Sequence, residues 1–247
     1  MRIITGSARG TGLTAPEGET TRPTSDKVKE AVFSMIQFDV EGRNVLDLFA
    51  GSGQMALEAL SRGAEKATLV DSSREAAACV EANAKKTHLS NRCRIVNNTY
   101  TSYLRAAAGR EKYDLIFLDP PYGSGMLPKA LRAIDAGELA APGSTLVCET
   151  DCDVPSSATR LRTRMRKDEE YTAELVLKDV FGGDEELAAR YEVLKSNLYG
   201  RTRITLLTPK TAEETGSEEP ASEEPASEEP ASEEPASDKP EAEGEAE

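Results

Sequence analysis

Histidine is almost missing from this chain of 247 residues: there is one, His88, and beside it four cysteines (Cys79, Cys93, Cys148, Cys152) that form no C-x-x-C pair. Metal sites and disulfide frameworks are built from these residue types at short, regular spacings. Their scarcity argues against a metal centre and for reduced thiols in a cytosolic protein. His88 sits in "KKTHLSN", at the expected end of a helix, and reads as a surface residue without a role. Long apolar runs are lacking too: none approaches the ~20 residues that cross a bilayer, and the N-terminus shows no signal-peptide core.

A basic excess is also absent. The formal net charge is −14, yet Glu213–Glu247 alone holds fifteen of the 44 acids and one of the 30 bases. Met1–Ala212 therefore carries 29 of each and is neutral. The acids lie around four near-copies of a five-residue unit, "SEEPASEEPASEEPASEEPAS". With no branched or aromatic side chain to bury and a proline in every unit, this stretch has nothing to offset the entropy of ordering. Three regions are expected: an N-terminal β-hairpin over 1–24, one globular domain over 25–210, and a disordered acidic tail over 211–247.

Within the domain, short apolar runs alternate with amphipathic stretches. Val28, Ala31, Val32, Met35 and Ile36 mark a helix from about Ser25. "NVLDLF" (44–49) predicts a strand, "QMALEALSR" (54–62) a helix, "ATLVD" (67–71) a strand. Ser72-x-x-Glu75 is a capping box opening a helix to about Thr87. Further strands are expected at 94–97, 114–118 and 144–149, with helices at 100–108 and 127–136. This spacing implies an α/β fold, a mostly parallel sheet with helices on both faces. Beyond 155, "TRLRTRMRK" (159–167) alternates strictly and "TRITLL" (202–207) suggests its antiparallel partner; the stretch between has no clear reading. Arg160, Arg162, Arg164 and Arg166 share one face of the 159–167 strand, suited equally to phosphates and to blunting a sheet edge. Arg2, Arg9 and Arg22 could extend such an RNA-binding surface.

Two motifs carry chemistry. Gly51 and Gly53 fall in the turn between the first strand and its helix, where bare backbone lets a ligand lie against a helix N-terminus. Asp71 ends the next strand, placed to accept both hydroxyls of a ribose. This is a general nucleoside-binding layout, and Gly51-x-Gly53-x-x-Ala56 also fits a dinucleotide fingerprint. The second motif separates the readings. In "DLIFLDPPYGSG" (114–125) a strand apolar on both faces stops at Asp119-Pro120-Pro121-Tyr122. An exocyclic amine of a nucleobase is a poor nucleophile because its lone pair is delocalised. The Asp119 carboxylate and Pro120 carbonyl can accept its hydrogen bonds and localise that pair, with Pro120 and Pro121 fixing the geometry. The Tyr122 ring can stack on the base, worth ~1–3 kcal/mol. An oxidoreductase has no use for this motif.

The segments "RIITGSARG", "TRPTSDKVKEAVFSMI", "VLDLFAGSGQMALEALSRGA", "IFLDPPY" and "YGRTRITLL" together resemble the bacterial 16S rRNA guanine-N2 methyltransferases, over about residues 1–155 and 198–208. The resemblance implies a class I S-adenosylmethionine fold, Rossmann-like, with seven strands and the last hairpin antiparallel, preceded by a hairpin that helps hold RNA. It implies cofactor contacts from Asp47, Phe49, Gly51, Gly53, Asp71 and Ser72, and a closing segment at Arg22 and Thr24. Family members have an acid near the end of the third strand; here the sequence reads "NNT", so Asn98 or Thr99 stands in. The expected partner is 16S rRNA in the assembled small subunit, met by a cytoplasmic monomer without membrane or metal. No motif distinguishes guanine from adenine, so an adenine-N6 methyltransferase and a non-catalytic RNA-binding module remain open.

Overall fold

The alternation of apolar and amphipathic segments folds into a layered α/β structure, seen in a computed structural model that describes residues 1–16, 26–152 and 169–211, with side chains in the last stretch from 173 onward. The order is α1 (Asp26–Met35), β1 (Asn44–Asp47), α2 (Gln54–Ser61), β2 (Lys66–Asp71), α3 (Arg74–Lys86), β3 (Cys93–Asn97), α4 (Tyr100–Ala107), β4 (Tyr113–Leu118), α5 (Met126–Ala136), β5 (Ala140–Asp151), α6 (Glu169–Asp179), α7 (Glu185–Ala189), β6 (Tyr191–Tyr199) and β7 (Thr202–Pro209). The seven strands lie in the order β3-β2-β1-β4-β5-β7-β6. Strands β1 to β5 are parallel, and β7 and β6 add an antiparallel hairpin. This is the class I methyltransferase arrangement implied by the resemblance.

The central run "LIFL" is buried on both faces, as its continuous apolar character requires. Leu115 and Phe117 pack with Phe33, Leu57 and Leu69 on one side; Ile116 and Leu118 pack with Leu131, Ile134 and Val180 on the other. Parallel strands so covered leave one set of ends open for ligands, the carboxyl ends.

Two expectations need correction. The partner of β7 is not 159–167, because β7 has β5 on one side and β6 on the other. Strand β6 escapes sequence reading because it is an edge strand with a single buried side chain, and a bulge at Val193–Lys195 breaks its period of two. Segment 159–167, with Arg160, Arg162, Arg164 and Arg166, lies outside the described residues, as do Arg22, Thr24 and the acidic tail. The cap of α3 is Ser73, not Ser72: its hydroxyl accepts from the Ala76 amide at 3.1 Å and donates to Glu75 at 2.8 Å. The Asp71 side chain accepts from the Ser73 amide at 2.9 Å, a local turn that delays the helix by one residue.

The N-terminal hairpin is slight, with one antiparallel bridge between Arg2 and Gly12. What holds it is α2. The amides of Ile4 and Thr5 donate to the two carboxylate oxygens of Glu58 at 2.7 and 3.0 Å, and the Ser7 amide donates to the Ser61 carbonyl at 2.8 Å. Gly6 has φ +86°, and a Cβ there would stand 1.8 Å from the Ser61 oxygen, so only glycine allows this approach. Beneath it Lys29, fully buried, donates to the Arg2 carbonyl at 2.5 Å and faces Glu58 at 3.8 Å.

Candidate active site

Strand β1 ends at Asp47, and the chain turns tightly into α2, with the Gly53 amide donating to the Ala50 carbonyl at 2.6 Å. Both glycines of the turn have positive φ, +53° at Gly51 and +74° at Gly53, but they serve different ends. A Cβ on Gly51 would meet nothing within 4 Å, whereas one on Gly53 would press on Leu69 and Val80 at 3.0–3.2 Å. Gly51 keeps backbone bare toward the ligand side, and Gly53 lets α2 pack closely on β2 and α3.

A cavity of about 780 Å³ opens over this turn at the carboxyl ends of the parallel strands. Of the residues expected from sequence, Phe49, Gly51, Asp71, Ser72, Thr99 and the whole of Asp119–Tyr122 form its wall. The Asp71 carboxylate is aimed by two amides, Gly51 at 2.8 Å and Ser73 at 2.9 Å. Phe49 packs on Tyr100, ring centroids 5.4 Å apart, giving the cavity an aromatic side. Thr99 also caps α4, accepting from the Ser102 amide at 3.2 Å.

Asp47, Gly53 and Asn98 are not on the wall. The Asn98 side chain accepts from the Thr99 amide at 2.8 Å and so shapes the turn. Arg2 pairs with Asp26 at 3.4 Å on the surface. Arg9 is exposed in the N-terminal loop, and His88 is exposed in the turn after α3. Neither Arg2, Arg9 nor His88 reaches the cavity wall.

Asp47 is 3% exposed and braces the turn from below, accepting from the Ala56 amide at 3.3 Å. Burial, reinforced by the nearby Asp71 charge, pushes its carboxyl up to about 7. The unfolded chain ionises this group near pH 4 and the folded protein only near 7, so folding loses stability as pH rises across that window. Asp47→Asn removes the titration while keeping an oxygen acceptor. Urea unfolding should show the variant gaining on the native protein by on the order of 3 kcal/mol between pH 4 and 8. A gain that does not change with pH would contradict this reading.

Several wall residues carry no motif in the sequence. Gln54, 6% exposed at the first position of α2, lines the cavity, and its Oε1 has no hydrogen-bond partner among the described residues. Asp151, Arg201 and Thr202 form the far rim, with Arg201 Nη2 2.8 Å from Asp151 Oδ2. Behind the rim, Glu149 accepts a 2.7 Å hydrogen bond from the Tyr122 hydroxyl. The signal for this group was present in "CETD" (148–151): two acids two residues apart at the end of a strand share a face. Among the described wall residues three carboxylates, Asp71, Asp119 and Asp151, face one basic side chain, Arg201. That balance favours a ligand carrying positive charge. No group of three or more potential metal ligands occurs among the described residues, and no helix there is long and apolar enough to cross a membrane.

Several known proteins are similar to this chain. The chain is 43% identical over 155 residues to the Bacillus subtilis protein called "Putative rRNA methyltransferase YlbH", covering 62% of this chain and 84% of that one. It is 31% identical over 156 residues to "Ribosomal RNA small subunit methyltransferase D" of Haemophilus influenzae, covering 63% and 81%. The solved structure titled "Putative methyltransferase yhhF from Escherichia coli" superposes with a TM-score of 0.65 at 25% identity, covering 85% of this chain and 98% of that one. Residues 1–177 match the family model described as "Conserved hypothetical protein 95", well over half of the sequence, and the chain belongs to that family.

Proposed function

We propose that this protein transfers a methyl group from S-adenosylmethionine to the exocyclic N2 amine of a guanine in 16S rRNA of the assembled small ribosomal subunit. The observation that carries the reading is the union of the two motifs: Asp119–Tyr122, the bare Gly51 turn and Asp71 all line one cavity. The names of the relatives favour an rRNA substrate in the small subunit.

The residues present fit the cofactor. Asp71 would hold the ribose hydroxyls, and Phe49 and Tyr100 offer apolar surface to the adenine. Gln54 Oε1, without a hydrogen-bond partner among the described residues, offers an acceptor to the ammonium of the methionine end. The acidic wall suits a sulfonium cation. When bound, S-adenosylmethionine supplies an electrophilic methyl group. Asp119 and the Pro120 carbonyl accept hydrogen bonds from the target amine, which raises electron density on its nitrogen. The Asp119 carboxylate would also take the proton shed by the nitrogen once the methyl group has passed from sulfur to nitrogen and left S-adenosylhomocysteine. Pro120 is buried and rigid, so the acceptors do not reorganise during the step.

A neutral body has little purchase on naked RNA, whose binding depends on neutralising phosphates. Labelled methyl transfer to unmethylated 30S subunits should therefore exceed transfer to deproteinised 16S rRNA by at least about tenfold. Equal transfer to both, or salt-insensitive binding to random single strands, would contradict the ribonucleoprotein substrate.

A further inference from the structure

The loop that carries Tyr122 has little of its own to hold it. Pro121 to Gly125 are all exposed, and Gly123 and Gly125 have φ of +70° and +63°. Within the loop, the Ser124 amide reaches the Pro121 carbonyl at 3.3 Å and the Met126 amide reaches the Ser124 hydroxyl at 3.3 Å. Both bonds are long for their type. The Tyr122 residue itself is 47% exposed, so burial does not fix its ring.

The far end of the ring is nevertheless anchored. Its hydroxyl donates to Glu149 Oε1 at 2.7 Å. Glu149 is 8% exposed and sits on β5, opposite Ile204 of β7; Thr202 opens β7 opposite Asp151. The anchor thus ties the exit of β4 to the antiparallel β5–β7 pair. Holding a carboxylate at such low exposure is costly unless it is well bonded, and an ionised acceptor makes a stronger bond than a neutral one. Burial and the Glu149 charge raise the Tyr122 phenol above its ordinary range, so the donor keeps its proton at neutral pH.

We propose that Glu149 is a positioning residue that holds the Tyr122 ring at the mouth of the cavity, so that the target base enters against a fixed aromatic face beside Asp119. The proposal rests on the guanine-methylation reading for its consequence in catalysis, though not for the anchor itself.

The test uses full-length protein labelled with 3-fluorotyrosine, the Tyr122 resonance being assigned by Tyr122→Phe. Glu149→Ala should shift that resonance and narrow it as the ring gains freedom, and Glu149→Gln should do so less. In methyl transfer to 30S subunits, Glu149→Ala and Tyr122→Phe should each raise KM for the subunit about tenfold, the value of one charge-assisted hydrogen bond. Affinity for S-adenosylhomocysteine, measured calorimetrically, should change little. In the Tyr122→Phe background, Glu149→Ala should add almost nothing, because the contact is already gone. A Tyr122 resonance unmoved by Glu149→Ala would overturn the proposal, as would losses that multiply in the double variant. Native protein that transfers no methyl to guanine would overturn the functional reading instead, and the fluorine spectrum would still decide the anchor.

Discussion

Asp119→Ala should lower methyl transfer by about 10³-fold or more, the usual cost of removing a preorganised group at the reacting centre. Binding of S-adenosylhomocysteine should persist, since the Gly51 turn, Gln54 of α2 and Asp71 of β2 lie on other elements of the fold. Asp119 follows directly on β4, the central strand of a sheet buried on both faces, and stands on the cavity wall one residue before buried Pro120. No other described wall residue combines a carboxylate with a rigid neighbouring carbonyl to substitute for it. Steady-state transfer to 30S subunits with parallel calorimetry separates the two effects. Activity within about tenfold of the native protein would remove Asp119 from the mechanism and leave a binding module as the better description.

Glu58→Ala should be the most destabilising single change in the described core. Its carboxylate accepts from the Ile4 and Thr5 amides and from Arg62 Nε at 2.8 Å, and it faces Lys29, with both Glu58 and Lys29 side chains fully buried. Desolvation already depresses the Lys29 pKa, against the opposing pull of Glu58. Truncation leaves a buried ammonium uncompensated and two amides unpaired, a loss of roughly 3–5 kcal/mol. For a protein of this size the melting temperature should fall by about 10 °C. The hairpin should also come loose from α2, and with it Met1, Ala15 and Pro16, which line the cavity. Cofactor affinity should therefore fall together with stability. Adding Lys29→Met should recover part of the stability by removing the stranded charge, while the hairpin stays unpinned. If Glu58→Ala melts within about 2 °C of the native protein, the buried pair is not what fastens the N-terminus.

The parts of this account that were legible in the sequence are those set by local chemistry. An apolar run ending in Asp-Pro-Pro-Tyr allows few structures, and a strand–glycine turn–helix places its ligand wherever it occurs. What escaped is set by tertiary contact. Strand β6 shows no apolar alternation because an edge strand has little to bury. Gly51 and Gly53 look equivalent in "GSG", and only the packing of Leu69 and Val80 tells them apart. Asp47 was expected on the ligand side, but the tightness of the turn folds its carboxyl beneath the backbone. Glu149 and Thr202 gain meaning because β7 returns antiparallel beside β5, a pairing between residues some fifty positions apart. The arginines of 159–167, expected on an RNA surface, lie outside the described residues, so that expectation stands as a proposal.

The identity of the methylated nucleoside decides whether the cavity holds guanine, adenine or no reacting base. Unmethylated 30S subunits would be treated with labelled S-adenosylmethionine, the 16S rRNA recovered and digested to nucleosides, and the label separated by chromatography. N2-methylguanosine as the labelled product is the predicted result. Label in N6-methyladenosine would keep the fold and the role of Asp119 but contradict the guanine assignment, and no label in any nucleoside would contradict catalysis altogether.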